Sequence, residues 1–155
     1  MLARTIGDYH FLADKATGVT FRWGKTFDDD APFAPVPELA DISISNRCSK
    51  GCSYCYRSSV ADGALMSVDD YCRVLDAMCS PQYGNVFQVA LGGGEPLEHP
   101  DFMAIINETV DRGIIPNFTT NGLLLTENLL AELESKVGAL ATSVADINEI
   151  RRFRN

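Results

Sequence analysis

The chain is short of positive charge. Against 21 acidic residues it has 13 lysines and arginines, a formal net charge of -8 at pH 7. A sequence-independent grip on nucleic acid needs a basic surface, so this balance argues against one. Long apolar runs are missing too, and none approaches the roughly 20 residues that span a bilayer. Histidine is scarce, with only His10 and His99, and the cysteine count of 5 is odd. An odd count fits a disulfide framework poorly. No secretory signal, internal repeat or low-complexity tract stands out, and the expected compartment is the reducing cytoplasm. What is present is enough for a core: 155 residues, 46% of them apolar, a size that folds as one domain.

Three of the cysteines stand together in Asn46-Arg47-Cys48-Ser49-Lys50-Gly51-Cys52-Ser53-Tyr54-Cys55-Tyr56. The spacing is C-x3-C-x2-C, with an aromatic before the third cysteine. Thiolates so close in sequence can hold three irons of a cubic iron–sulfur cluster, which ordinarily takes four cysteines. The fourth iron is then open to another ligand. Structural zinc is the competing reading, because short cysteine spacings also serve it. Zinc wants a fourth protein ligand, and the spare candidates Cys72, Cys79, His10 and His99 form no paired knuckle. Both readings stand at this level.

Periodicity organises the rest. Tyr9 to Ala13 and Val19 to Trp23 read as a hairpin outside the core, around a turn-rich connection. Residues 24–38 are irregular; Asp28-Asp29-Asp30 and three prolines mark a solvated linker rather than a cation site. The division expected is 1–39 for hairpin and linker, and 40–155 for the core. Strands are predicted at Ala40 to Ser45, Val86 to Leu91, Ile114 to Thr119 and Val137 to Val144. Between them lie helices. The first is capped by Ser67 and carries Tyr71, Val74, Leu75 and Met78 on one face. The second opens at Pro100, buries Phe102, Ile105, Ile106 and Val110, and ends at Gly113. The third is capped by Thr126, and another helix starts at Asp146. Strand–helix alternation predicts βαβ units and a parallel sheet. The cysteine loop, Gly92-Gly93-Gly94-Glu95-Pro96 and Thr119-Thr120-Asn121-Gly122 each follow a strand, where parallel α/β barrels place their active sites.

These three segments, in this order, resemble the signature of the radical S-adenosylmethionine (radical SAM) enzymes: the cysteine triplet, a GGEP motif and a T-N-G. The resemblance runs from about Asp41 to Asp146. It implies an α/β fold, a partial TIM-like barrel. It implies two cofactors: a [4Fe–4S] cluster on Cys48, Cys52 and Cys55, and S-adenosylmethionine chelated to the fourth iron. A low-potential electron, from a flavodoxin- or ferredoxin-type donor, then cleaves the sulfonium to a 5′-deoxyadenosyl radical that abstracts hydrogen from a substrate. The substrate is left open by the resemblance, with a peptide or protein as one candidate because some members of the family modify peptides or mature other proteins. Cofactor contacts are implied for Gly93, Gly94 and Glu95 at the methionine amino group, for Thr120 and Asn121, for Ser143, and for Tyr54 near the adenine.

Each contact has a plainer reading beside it. Gly92 to Gly94 suit any strand-to-helix turn. Asn121-Gly122 suits any tight turn, and Tyr54 could simply cover the loop. Lys50 is expected to face solvent rather than offset cluster charge. Cys72 and Cys79 are expected to be ordinary buried side chains rather than auxiliary cluster ligands; His99 and His10 carry no evident site. Two departures from the family pattern stand out. Only three strand–helix units and the start of a fourth are present, so the expectation is a barrel truncated after its fourth strand, with an inactive fragment as the alternative outcome. The family's Ser-x-Asp is here Ser143-Val144-Ala145-Asp146, with the acid displaced by one residue.

Overall fold

In the computed structural model, which describes residues 1–31 and 33–151, four parallel strands form the central sheet: β4 (Leu39–Ser45), β5 (Gln88–Gly93), β6 (Ile115–Thr120) and β7 (Ala139–Thr142). They lie side by side in chain order, with helices α1 (Val68–Ala77), α2 (Phe102–Asp111) and α3 (Glu127–Leu133) in the connections. A single turn, α4 (Ile147–Ile150), follows β7. Alternation along the strands sorts the side chains. Ile42, Ile44, Val89, Leu91 and Phe118 join Tyr71 and Leu75 of α1, Phe102, Ile105 and Ile106 of α2, and Leu133 of α3 in one buried cluster. Phe102 meets Phe118 edge to face at 5.0 Å. The opposite face, with Asp41, Ala90, Gly92 and Thr119, lines a cavity. No helix among the described residues is long and apolar enough to cross a membrane.

Local chemistry sets the helix starts. The side chain of Ser67 accepts from the N–H of Asp70, and that of Thr126 accepts from Leu129. Both satisfy otherwise orphaned donors of the first turn. The second helix starts later than Pro100. The glycine motif runs first into a short 3-10 turn, Pro96–Glu98, and α2 opens at Phe102 behind Asp101, without a side-chain cap. Gly113 follows α2 at φ 70°, a left-handed conformation that glycine adopts without strain.

The strands β5 and β6 begin later than expected, and β7 is shorter. Val86 and Phe87 are apolar enough to read as strand, yet they are used below it: Val86 in the main core, Phe87 in a second one. That second core is made by the N-terminal sheet. β2 (Tyr9–Ala13) pairs antiparallel with β3 (Thr20–Trp23), and also with a strand not anticipated, β1 (Leu2–Ile6). The β1–β2 connection is Gly7-Asp8, with Gly7 at φ 59°, as a two-residue hairpin requires. Tyr9, Phe11 and Ala13 pack with Phe87 and Ile115. The small sheet thus covers the start of β5 and β6, the end of the parallel sheet away from the cysteine loop.

Candidate active site

At the C-terminal ends of the strands the chain builds one cavity of about 430 Å3. Cys48, Cys52, Cys55, Tyr54, Gly93, Gly94, Glu95, Thr120, Asn121 and Ser143 all line it. Segments far apart in sequence therefore meet at one place. Asp41, Arg57, Ser59 and Val144 line it as well, and the sequence reading passed over them. For Asp41 a signal was available: the alternation of β4 sets it opposite the buried Ile42 and Ile44. Arg57 is held to the same wall by an N–H donated to Ser43 Oγ at 2.8 Å.

The cysteine loop is framed by backbone pairing. The N–H of Asn46 donates to Ala64 O, that of Cys48 to Val60 O, and that of Met66 to Ile44 O. Residues 60–66 thus run beside the loop's first leg, and Gly63 is pressed so close that an added Cβ would stand 2.1 Å from Asn46 O. Within the loop, Cys55 N–H donates to Cys52 O at 3.1 Å, and Gly51 takes φ 62°. All three thiols are free and half-buried. Backbone N–H groups, chiefly those of Ser59 and Arg57, hold the Cys55 thiol below the usual range. A hydrogen bond with Cys52 pushes the Tyr54 hydroxyl up, and the Tyr54 ring is 66% exposed at the rim.

The glycines serve the protein's own backbone first. A Cβ on Gly93, which sits at φ 110°, would lie 2.1 Å from Ser45 O; one on Gly94 would lie 2.2 Å from Arg47 O. This closeness lets Gly94 N–H donate to Ser45 O at 2.6 Å and Glu95 N–H to Arg47 O at 2.7 Å. The end of β5 is thereby locked to the strand that delivers the cysteines. Only Gly92 of the triplet faces open space, with nothing within 4 Å of an added Cβ.

Glu95 is buried, 1% exposed. Its Oε1 accepts from Thr120 Oγ1 at 2.6 Å and from Leu97 N–H at 3.1 Å, and its Oε2 accepts from Asn121 N–H at 2.6 Å. The side chain ties the end of β5 to the end of β6. Thr120 Oγ1 also accepts from Gly122 N–H at 3.0 Å, so this hydroxyl is spent internally. Asn121 Oδ1 accepts from Leu123 N–H, which leaves its Nδ2 aimed at Cys48 Sγ, 3.9 Å away. Ser143 reaches Thr120 O through both its N–H and its hydroxyl.

Other sequence candidates take structural places. Lys50 does not stand free in solvent: it pairs with Glu149 at 2.9 Å, which pushes its ammonium pKa up. Cys72 lies on α1 against Glu108, and burial raises its thiol. Cys79 donates to Leu75 O. His99 is buried between Met66 O and Asp101 N–H. His10 stacks on Trp23 in the N-terminal sheet. Asp29 Oδ2 accepts from Thr26 N–H at 3.1 Å, and Asp30 pairs with Arg22.

The donor set is thiolate, the ligand type that iron–sulfur clusters take. Among the described residues no three histidine, cysteine or acidic side chains converge as a single metal ion requires. The thiolates of an iron–sulfur cluster bind different irons and stand further apart. Three free cysteines lining one cavity are compatible with that wider arrangement.

Comparison with known proteins agrees with this geometry. The family model described as the Radical SAM superfamily matches residues 42–155. A tungsten-containing aldehyde ferredoxin oxidoreductase cofactor-modifying protein of Pyrococcus furiosus is 33% identical over 94 residues, 59% of this chain and 26% of that protein. A PqqA peptide cyclase of Bradyrhizobium diazoefficiens is 30% identical over 100 residues, 63% of this chain and 26% of that protein. Among solved structures, SuiB of Streptococcus suis bound to precursor peptide SuiA superposes with a TM-score of 0.61 at 22% identity, covering 76% of this chain and 26% of SuiB. The chain thus spans about a quarter of the length of these relatives.

Proposed function

The chain belongs to the radical SAM superfamily, and from that premise we propose that it is the cofactor-binding part of an enzyme that starts radical chemistry on a peptide or protein. Cys48, Cys52 and Cys55 hold a [4Fe–4S] cluster, and the cavity they line together with Gly92, Asn121 and Ser143 receives S-adenosylmethionine. When bound, this pair supplies a 5′-deoxyadenosyl radical that removes a hydrogen atom from the substrate; cofactors of this kind carry the chemistry, and protein groups orient and tune them.

The observation that carries the reading is the convergence of the three motifs on one cavity. Each residue then has a task. The N–H donors around Cys55 favour its thiolate, the form that ligates metal. Asn121 Nδ2, pointed at Cys48 Sγ, is placed to donate to a ligating sulfur, and such bonds tune cluster potential. Glu95 works from behind, fixing Thr120 and Asn121. Tyr54 at the rim is suited to cover the adenine. The peptide assignment is supported by the PqqA peptide cyclase and by the SuiB–SuiA complex. The electron comes from a flavodoxin- or ferredoxin-type donor, and the free thiols call for a reducing compartment such as the cytoplasm.

Anaerobic reconstitution with iron and sulfide tests the cluster assignment. The expected product is brown, holds iron and sulfide in equal amounts, and loses both when Cys48, Cys52 and Cys55 are replaced together by alanine. Zinc bound without sulfide, or colour that survives the triple replacement, would overturn it.

A further inference from the structure

The displaced acid after β7 has a local purpose. Asp146 Oδ1 accepts from Asn148 N–H at 2.7 Å and from Glu149 N–H at 3.2 Å. Glu149 Oε2 reaches back to Ala145 N–H at 2.8 Å. This is close to a reciprocal capping box, with an acid at the cap and a glutamate three residues on. The box fixes where Glu149 points. Both of its oxygens lie 2.9 Å from Lys50 Nζ. The two side chains are only 15% and 20% exposed, so the pair is largely shielded from water and from salt.

Lys50 lies between Cys48 and Cys52, and its neighbour Ser49 is tied elsewhere. Ser49 donates both its hydroxyl, at 2.6 Å, and its N–H, at 2.9 Å, to Glu98 Oε1. Glu98 ends the 3-10 turn that follows the glycine motif. Adjacent residues of the thiol loop are thus fastened to the corner after β5 and to the corner after β7. The next residue, Gly51, takes the left-handed backbone that lets the loop turn.

We infer that Glu149 and Glu98 are positioning residues that latch the cysteine loop across the cavity, Glu149 through Lys50 and Glu98 through Ser49. The latch joins the loop to the far side of the sheet, so the spacing of the thiols depends on contacts outside the motif. Its purpose rests on the cluster reading above, but its existence does not. Shifting the acid to Asp146 is what allows the capping box, and the box aims the latch.

Hydrogen–deuterium exchange on the full metal-free chain tests this directly. Glu149→Gln keeps an acceptor for Ala145 but loses the charge. It is expected to raise exchange across residues 48–58 about fivefold, the opening expected when a partly buried pair is lost. Lys50→Met, which removes the same charge from the other side while leaving the bond from Ala145 N–H to Glu149 in place, is expected to behave alike. Glu98→Gln loosens the same segment from its other side. Unchanged exchange in Glu149→Gln or in Lys50→Met overturns the latch. In the reconstituted chain Glu149→Gln is expected to bleach about fivefold faster in air, by the same argument; an equal rate overturns the positioning role. Failure of the iron and sulfide test would refute the cluster and leave the exchange result intact, so the two outcomes are separable.

Discussion

Glu95→Ala separates a scaffold role from a ligand role at the glycine motif. The carboxylate lies in the interior and takes two 2.6 Å bonds, from Thr120 Oγ1 and Asn121 N–H, with a longer one from Leu97 N–H. Truncation strands three donors that have little access to water. Hydrogen bonds to a charged group are worth about 1.5–3 kcal/mol each, and unpaired buried donors add their own desolvation cost. Allowing for partial relaxation, the loss is about 3–5 kcal/mol. In a chain of this size that lowers Tm by roughly 6–20 °C. The assay is thermal unfolding of the metal-free chain, followed by circular dichroism, with Glu95→Gln beside it. Glutamine keeps one acceptor oxygen but turns an amide toward one of the donors, so it should melt between alanine and wild type. If Glu95 only contacted a cofactor, the metal-free Glu95→Ala variant would melt within about 2 °C of wild type, and such a small shift would rule out the scaffold role.

Other outcomes follow from the same geometry. Gly94→Ala forces a methyl against Arg47 O and should cost about 3 kcal/mol in urea unfolding, whereas Gly92→Ala, with open space above it, should stay within about 0.5 kcal/mol. The added methyl of Gly92→Ala enters the cavity, so S-adenosylmethionine affinity of the reconstituted chain should fall; equal stability losses for the two variants would contradict this. Iodoacetamide labelling against pH should give Cys55 a midpoint below that of free cysteine and Cys72 a midpoint above it, because backbone N–H groups favour the Cys55 thiolate while burial and Glu108 disfavour that of Cys72. In linkage terms, the depressed Cys55 pKa contributes stability above the unfolded-state thiol pKa and loses it as pH falls through the folded value. The raised Cys72 pKa contributes below the unfolded-state value and loses it as pH rises. Coincident midpoints would count against both assignments.

What could be read from the chain beforehand was mostly local. Ser67 and Thr126 cap the helices they were expected to cap, because a capping bond spans three residues and needs no tertiary partner. The four parallel strands were legible from alternation and motif spacing, although Val86 and Phe87 misled the start of β5 by being apolar for a different reason. β1 was missed even though Leu2, Arg4 and Ile6 alternate and Gly7-Asp8 is a hairpin turn. The roles within the site were harder. Nothing near Glu95 says that its partners lie 25 and 26 residues away. Nothing near Lys50 names Glu149, 99 residues on. Gly93 and Gly94 read as ligand-binding glycines, but their first requirement comes from Ser45 and Arg47 on the neighbouring strand. A motif shows which residues gather; the packing shows which of them are already committed to one another.

Whether the three cysteines hold a cluster with one open iron is decided by the EPR spectrum of the reduced, anaerobically reconstituted chain, recorded with and without S-adenosylmethionine. The expected result is a [4Fe–4S]⁺ signal whose shape changes when the cofactor is added, the mark of an iron without a protein ligand that S-adenosylmethionine reaches. A cluster signal that is the same in both spectra, or no cluster signal at all, would contradict it.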